Sequence, residues 1–102
     1  MRFYLLSDSP DIRLGMRLAG IDGEIVNTAE ALHSALMRLA EDKSIGIVAI
    51  NTGLALLAPE LITQWKLKKQ QPLLVEIPDR SDPGELSRII SGYIAETIGI
   101  KV

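Results

Sequence analysis

Cysteine is missing from the sequence, and histidine occurs once among its 102 residues. Without cysteine the chain has no disulfide, no thiolate nucleophile and no thiolate metal ligand. The one histidine, His33, lies next to Leu32 within a predicted helix, and we interpret it as a partly exposed helix residue. No other residues stand at the spacing of a known metal or catalytic motif. The sequence therefore predicts no catalytic residue, no metal ion and no cofactor.

Aromatic residues and an excess of charge of one sign are also lacking. Phe, Trp and Tyr make up 4% of the residues, and the formal net charge is −2 with acids and bases intermixed. Nucleic-acid binding relies on basic patches and on aromatic stacking, so we expect no nucleic-acid partner. The apolar runs are far shorter than the ~20 residues of a membrane-spanning helix, and the first residues lack the apolar core of a signal peptide. We therefore expect a soluble cytoplasmic domain.

Short apolar runs alternate with longer amphipathic segments. The runs predict strands at residues 3–6, 24–26, 45–50 and 73–77. The segments between them predict helices over residues 10–20, 27–40 and 54–69, the last interrupted at Pro59, and a final helix over residues 83–98. The order βαβαβαβα is typical of an α/β fold with a three-layer, open parallel sheet of about four strands, Rossmann-like or receiver-like.

The chain reads as one domain. We interpret residues 1–102 as a single α/β domain with a sheet core at residues 1–78 and a loop and C-terminal helix at residues 79–102. The final helix has a wide apolar face, and Gly92 within it costs about 1 kcal/mol relative to alanine. Two interpretations stay open: the whole helix packs on the sheet, or its half from Tyr93 onward exchanges those contacts for a partner.

Polar residues follow each predicted strand, at the edge of a parallel sheet where ligands bind. They are Ser7-Asp8, Asn27-Thr28, Asn51-Thr52 and Pro78-Asp79. Each group also begins a helix, and Ser, Thr, Asn and Asp are the preferred N-cap residues. We interpret them as caps, with Asn27 and Glu30 at the spacing of a capping box.

The sequence is close to two ligand-binding motifs and matches neither. Gly15 and Gly20 have the spacing of a phosphate-binding loop, but Ile21 and Asp22 follow where Lys and Ser or Thr are needed. A receiver domain needs an acidic pair after its first strand and a phosphoacceptor aspartate after its third. This chain has Asp8 at the first place and an asparagine at the second, which forms no acyl phosphate. A receiver-like signalling module without a phosphoacceptor stays open as an alternative.

The segment SDSPDIRLGMRLAGIDG at residues 7–23 resembles the opening of the F subunit of V-type and A-type ATPases, the small regulatory subunit of the central rotor stalk. The likeness continues in order along the chain. It includes the following residues: Asp8, Gly15, Arg17-Leu18-Ala19-Gly20-Ile21, Asn51-Thr52-Gly53-Leu54-Ala55, Pro59-Glu60-Leu61-Ile62, Pro72-Leu73-Leu74-Val75-Glu76-Ile77-Pro78 and Ile98-Gly99-Ile100.

This resemblance implies a non-catalytic subunit that docks on the coiled coil of the D subunit of the stalk. It implies that the chain helps to couple ATP hydrolysis or synthesis to ion transport, and that it meets the membrane only through the complex. It also implies that the C-terminal helix reaches the catalytic head. The contact residues that we expect are Arg17, Leu18, Gly20, Ile21, Tyr93, Ile94 and Ile98.

Overall fold

A computed structural model describes residues 2–68 and 71–79 of the chain. In chain order, the elements of these residues are β1 (Arg2–Ser7), α1 (Pro10–Leu18), β2 (Gly23–Ile25), α2 (Ala29–Ala40), β3 (Ile45–Asn51), α3 (Thr52–Ala55), α4 (Pro59–Leu67) and β4 (Leu73–Ile77). Every strand and helix predicted up to residue 78 is present, with small shifts at the ends. The final helix, predicted over residues 83–98, lies outside the described residues.

Helix α1 begins and ends at the residues that its sequence indicates. The Ser9 hydroxyl accepts a hydrogen bond from the Ile12 backbone N–H at 3.3 Å, and Pro10 occupies the first turn, where no intrahelical donor is needed. The helix stops before Gly20, whose φ of +87° is a conformation that suits glycine. Local sequence chemistry therefore sets both ends of this helix.

Helix α2 begins one residue later than predicted. Thr28 is its N-cap and accepts a hydrogen bond from the Ala31 N–H at 3.1 Å, so the capping box predicted between Asn27 and Glu30 is wrong. The reason lies in the preceding strand pairing, because the Val26 N–H donates to the Ser7 carbonyl oxygen at 2.8 Å. The chain stays extended beyond β2, and the cap moves to the next suitable residue.

The four strands form one sheet, in the order β2-β1-β3-β4, and all neighbouring pairs are parallel. The chain runs outward from β1 to β2 and then crosses back to β3 and β4. Right-handed crossovers place helices on opposite faces when the direction changes in this way. The switch in direction between β1 and β3 therefore explains why helices cover both faces of the sheet.

Apolar side chains fill both faces of the sheet. On one face the residues of α2, α3 and α4 pack in a large cluster with Leu6, Val48 and Ile50. On the other face Ile12 and Met16 of α1 pack in a second cluster with Leu5, Ile47 and others. The predicted three-layer, open parallel sheet is confirmed in the described part of the chain.

Trp65 belongs to the core of the first face. It is 3% exposed, and its indole Nε1 donates a hydrogen bond to the Pro72 carbonyl oxygen at 2.8 Å. The structure places it in the core, where it joins α4 to the segment that enters β4.

Candidate functional site

The carboxyl ends of β1, β3 and β4 meet at one point on the sheet edge. Asn51, the last residue of β3, donates hydrogen bonds from Nδ2 to Asp8 Oδ1 and to Asp79 Oδ1, both at 2.8 Å. The Asp8 backbone N–H donates in return to Asn51 Oδ1 at 3.4 Å. Asn51 is only 2% exposed. We call Asp8, Asn51 and Asp79 the amide bridge, because one buried amide joins two carboxylates from different segments.

The β4 side of the amide bridge is held by backbone groups as well. The Gly53 N–H donates to Asp79 Oδ1 at 2.8 Å, and the Thr52 hydroxyl donates to the Ile77 carbonyl oxygen at 3.1 Å. A Cβ atom on Gly53 would lie 3.2 Å from both carboxylate oxygens of Asp79, a distance tighter than ordinary van der Waals contact. Glycine at this position therefore permits the close approach of the carboxylate to the backbone.

The predicted capping role is correct for some strand-end residues and wrong for Asn51. Thr28 caps α2, whereas α1 is capped by Ser9, which directly follows Ser7-Asp8. Asn51 stands at the N-cap position of α3 but makes no capping hydrogen bond. Its Nδ2 group is directed to the two carboxylates, and its Oδ1 accepts from the Asp8 backbone. Sequence reasoning missed this role because the partners are 43 and 28 residues away along the chain.

The amide bridge connects segments of the chain through hydrogen bonds. A neutral carboxamide offers no carboxylate oxygen to phosphorylate, and it does not ionise at neutral pH. Both carboxylates accept charge-assisted hydrogen bonds from the amide, which are stronger than bonds between neutral groups. Across residues 2–68 and 71–79, His, Cys, Asp and Glu side chains form no group of three that could hold a metal ion. The hydrogen bonds of the amide bridge thus connect the ends of β1, β3 and β4.

The predicted contact residues of α1 lie together at the corner where α1 leads to β2. Arg17, Leu18 and Gly20 are exposed, whereas Ile21 is half-buried and packs against the second core cluster. The backbone turns tightly here, since the Gly20 N–H donates to the Arg17 carbonyl oxygen at 3.0 Å. The structure therefore presents three of these four residues to solvent. The others, Tyr93, Ile94 and Ile98, lie outside the described residues.

Sequence reasoning missed two further residues on the same surface, Arg13 and Leu14. Leu14 is 58% exposed and Leu18 is 72% exposed, one helical turn apart on α1. Arg13, directly before Leu14 in the sequence, donates from Nε to the Gly23 carbonyl oxygen at 3.3 Å. The signal in the sequence is the i, i+4 spacing of two leucines flanked by arginines on a helix whose buried face is formed by Ile12 and Met16.

Beside this surface, Tyr4 and Glu24 anchor the short edge strand β2. The Tyr4 hydroxyl donates to Glu24 Oε1 at 3.0 Å, and the Arg38 guanidinium forms an ion pair with the same oxygen. Burial raises the pKa of Tyr4 above its ordinary value of 10.0, and the hydrogen bond to the Glu24 carboxylate raises it further. This group therefore ties β2 to its neighbour β1 and to α2.

His33, as expected, is an exposed residue of α2.

Comparison with known proteins identifies a family. The sequence model of the family described as ATP synthase (F/14-kDa) subunit matches residues 4–94 of the chain. The matched segment includes the amide bridge and the whole of α1, and it ends before Ile98. No curated protein matches the chain. In the described part, no helix has the length and apolar character needed to cross a membrane.

Proposed function

The chain belongs to the ATP synthase (F/14-kDa) subunit family, and we propose on that basis that it is a non-catalytic regulatory subunit in the central rotor stalk of a V-type or A-type ATPase or ATP synthase. In this proposal it docks on the coiled coil of the D subunit and turns with it. It helps to couple ATP hydrolysis or synthesis to ion transport. It resides in the cytoplasm and meets the membrane only as part of the complex.

The observation that carries the non-catalytic part is the amide bridge. In an open parallel sheet, ligands bind at the carboxyl edge beside the point where the strand order reverses. In this chain a 2% exposed carboxamide fills that point and joins Asp8 to Asp79. The sheet edge therefore supports assembly of the fold, and surface docking is the activity that remains for the exposed residues.

The docking surface that we propose for the D subunit is the corner formed by Arg17, Leu18, Gly20 and Ile21. It combines an exposed apolar side chain with an unburied cation at the end of a helix. Tyr93, Ile94 and Ile98 are proposed to contact the catalytic head and to bind one of its conformations better than another. Such a preference shifts the equilibrium between conformations by the difference in affinity.

The first experiment is purification of the tagged full-length chain from its native organism, followed by mass spectrometry of the proteins that accompany it. We expect the other subunits of the ATPase in fixed ratio. The competing function, a receiver-like signalling module, predicts kinases or regulators instead. Its support is the position of Asp8 and Asn51 at the ends of β1 and β3. Recovery of signalling proteins without ATPase subunits would reject the stalk proposal.

A second experiment tests the contact with the catalytic head. The complex is depleted of this chain and then restored with either the wild-type chain or a Tyr93→Ala/Ile94→Ala variant. We expect the variant to rejoin the stalk but to alter the rate of ATP hydrolysis. A Leu67→Ser variant serves as the control, because Leu67 is a 71% exposed leucine on α4. Equal hydrolysis rates with the variant and the control would contradict the proposed contact.

A further inference from the structure

The outward surface of α1 is apolar where a solvated helix is usually polar. Leu14 and Leu18 are 58% and 72% exposed and lie one turn apart, while Ile12 and Met16 bury the opposite side of the helix. Arg13 and Arg17 are exposed on the same outward surface. We call Arg13, Leu14, Arg17 and Leu18 the α1 face.

The two arginines of the α1 face border a groove. The groove has a volume of about 320 Å³ and is lined by Tyr4, Arg13, Arg17, Asp22 and Gly23. Arg13 is fixed by its hydrogen bond to the Gly23 carbonyl oxygen. The Arg17 guanidinium makes no hydrogen bond or ion pair with any residue of the described ranges. A guanidinium at the wall of a groove is suited to bind a carboxylate through two parallel hydrogen bonds.

The charge of the α1 face differs from that of the rest of the chain. The formal net charge is −2, and the carboxyl edge of the sheet carries the carboxylates of Asp8 and Asp79. Two arginines supply little attraction to an anionic lipid surface, and nucleic-acid binding needs more phosphate contacts than two. The groove is lined by two arginines and one carboxylate, that of Asp22, so the charge of its lining is positive by one. Together with the two leucines, this charge matches the side of an acidic amphipathic helix.

We propose that the α1 face docks onto a partner helix that places apolar residues against Leu14 and Leu18 and directs an Asp or Glu side chain to Arg17. Paired apolar residues at i, i+4 spacing are the usual anchors when helices pack side by side. This inference rests on the proposed function, in which the partner is the coiled coil of the central stalk. It adds the chemistry of the partner's contact surface, an acidic and apolar helix face.

The test uses the purified full-length chain and the purified D subunit of the same complex, with binding measured by calorimetry. Leu18→Ser is compared with Leu67→Ser, since these leucines are 72% and 71% exposed and the second lies on α4, across the sheet from α1. Arg17→Glu is compared with Lys43→Glu, an exposed cation beyond the end of α2. Circular dichroism verifies that all four variants fold.

We expect Leu18→Ser and Arg17→Glu each to weaken binding about 10- to 100-fold, as removal of a buried apolar anchor or of a charge pair does at an interface. The two control variants bind like the wild type. The loss caused by Arg17→Glu shrinks when the salt concentration is raised from 50 to 500 mM, since salt screens charge pairs at the rim of an interface. The loss caused by Leu18→Ser does not shrink.

Three outcomes overturn the inference. If the wild-type chain binds the D subunit and the α1 variants bind as well as their controls, the docking surface is elsewhere and the proposed function stands. If the wild-type chain binds vesicles with anionic lipids and the α1 variants reduce that binding instead, the α1 face recognises lipid. Complete absence of binding between the wild-type chain and the D subunit rejects the proposed function, and the inference with it.

Discussion

Replacing Asn51 with aspartate tests the amide bridge most directly. The amide Nδ2 lies 2.8 Å from a carboxylate oxygen of Asp8 and 2.8 Å from one of Asp79. Asn51→Asp keeps the shape of the side chain and replaces this double donor with an oxygen. Three carboxylates would then face one another at a 2% exposed position. Burial and like charges both raise the pKa of the introduced carboxyl, so the folded variant keeps a proton there that the unfolded chain releases.

The size of the effect follows from that proton. When the folded state binds one proton more than the unfolded state, the free energy of unfolding falls by about 1.4 kcal/mol for each pH unit. Between pH 5 and pH 7 the variant is therefore expected to lose about 3 kcal/mol relative to the wild type. The loss is smaller at low pH, because a group with a raised folded pKa stabilises the fold in its protonated form. One of the two donated hydrogen bonds is lost at every pH, which adds about 1.5–3 kcal/mol.

The assay is urea unfolding followed by circular dichroism at several pH values in the presence of a chelator. Asn51→Ala is the control, because it removes both donated hydrogen bonds, and the one accepted from the Asp8 N–H, without adding a charge. We expect it to cost about 2–4 kcal/mol with the same pH dependence as the wild type. In a second measurement, millimolar Mg²⁺ is expected to stabilise Asn51→Asp and not the wild type, since three carboxylates suit a hard cation. Parallel pH profiles for the aspartate and alanine variants would refute this account of the bridge.

Three further predictions concern the fold around the site. Trp65→Phe should lower the free energy of unfolding by about 1–3 kcal/mol, because the Pro72 carbonyl oxygen loses its donor; an unchanged urea midpoint would contradict this. Gly23→Ala should cost about 1–3 kcal/mol, since the new Cβ would lie 2.6 Å from Leu5 Cβ, and a stable variant would show that β2 moves freely. Tyr4 favours its neutral form in the fold, so stability should fall as the pH rises above about 10. Tyr4→Phe should flatten that fall in alkaline unfolding curves.

The strands and most helix ends could be predicted because their signals are local. The run IGIVAI at residues 45–50 is apolar almost throughout, as a strand covered on both faces requires, and it forms the interior strand β3. Ser9 and Pro10 determine where α1 begins without help from distant residues. These features depend on the side chain and its nearest neighbours, which the sequence alone supplies.

The start of α2 and the amide bridge depend on tertiary contacts. Asn27 and Thr28 are both good N-cap residues, and the pairing of Val26 with Ser7 decides between them. The role of Asn51 depends on the strand order, which places β1 and β4 on either side of β3. Residue type at Asn51 indicates a cap, and only the position of two distant carboxylates shows that it is a bridge.

The corner at the end of α1 could be predicted from the sequence only in part. The family resemblance indicates Arg17, Leu18, Gly20 and Ile21 as contact residues, and the structure shows the first three exposed and adjacent. A short helix with apolar residues on several sides does not reveal which of them faces the sheet. Packing of Ile12 and Met16 against the second core cluster decides it, and this choice leaves the leucines of the α1 face in water.

The helices are divided between the two faces of the sheet, and this division separates their outer surfaces. In the described residues, α1 packs on one face, and α2, α3 and α4 pack on the other. The full thickness of the sheet and its helix layers separates the outer side of α1 from the outer sides of α2 and α4. In the described part of the chain, a substitution on the outer side of α1 therefore leaves the outer side of α4 unchanged.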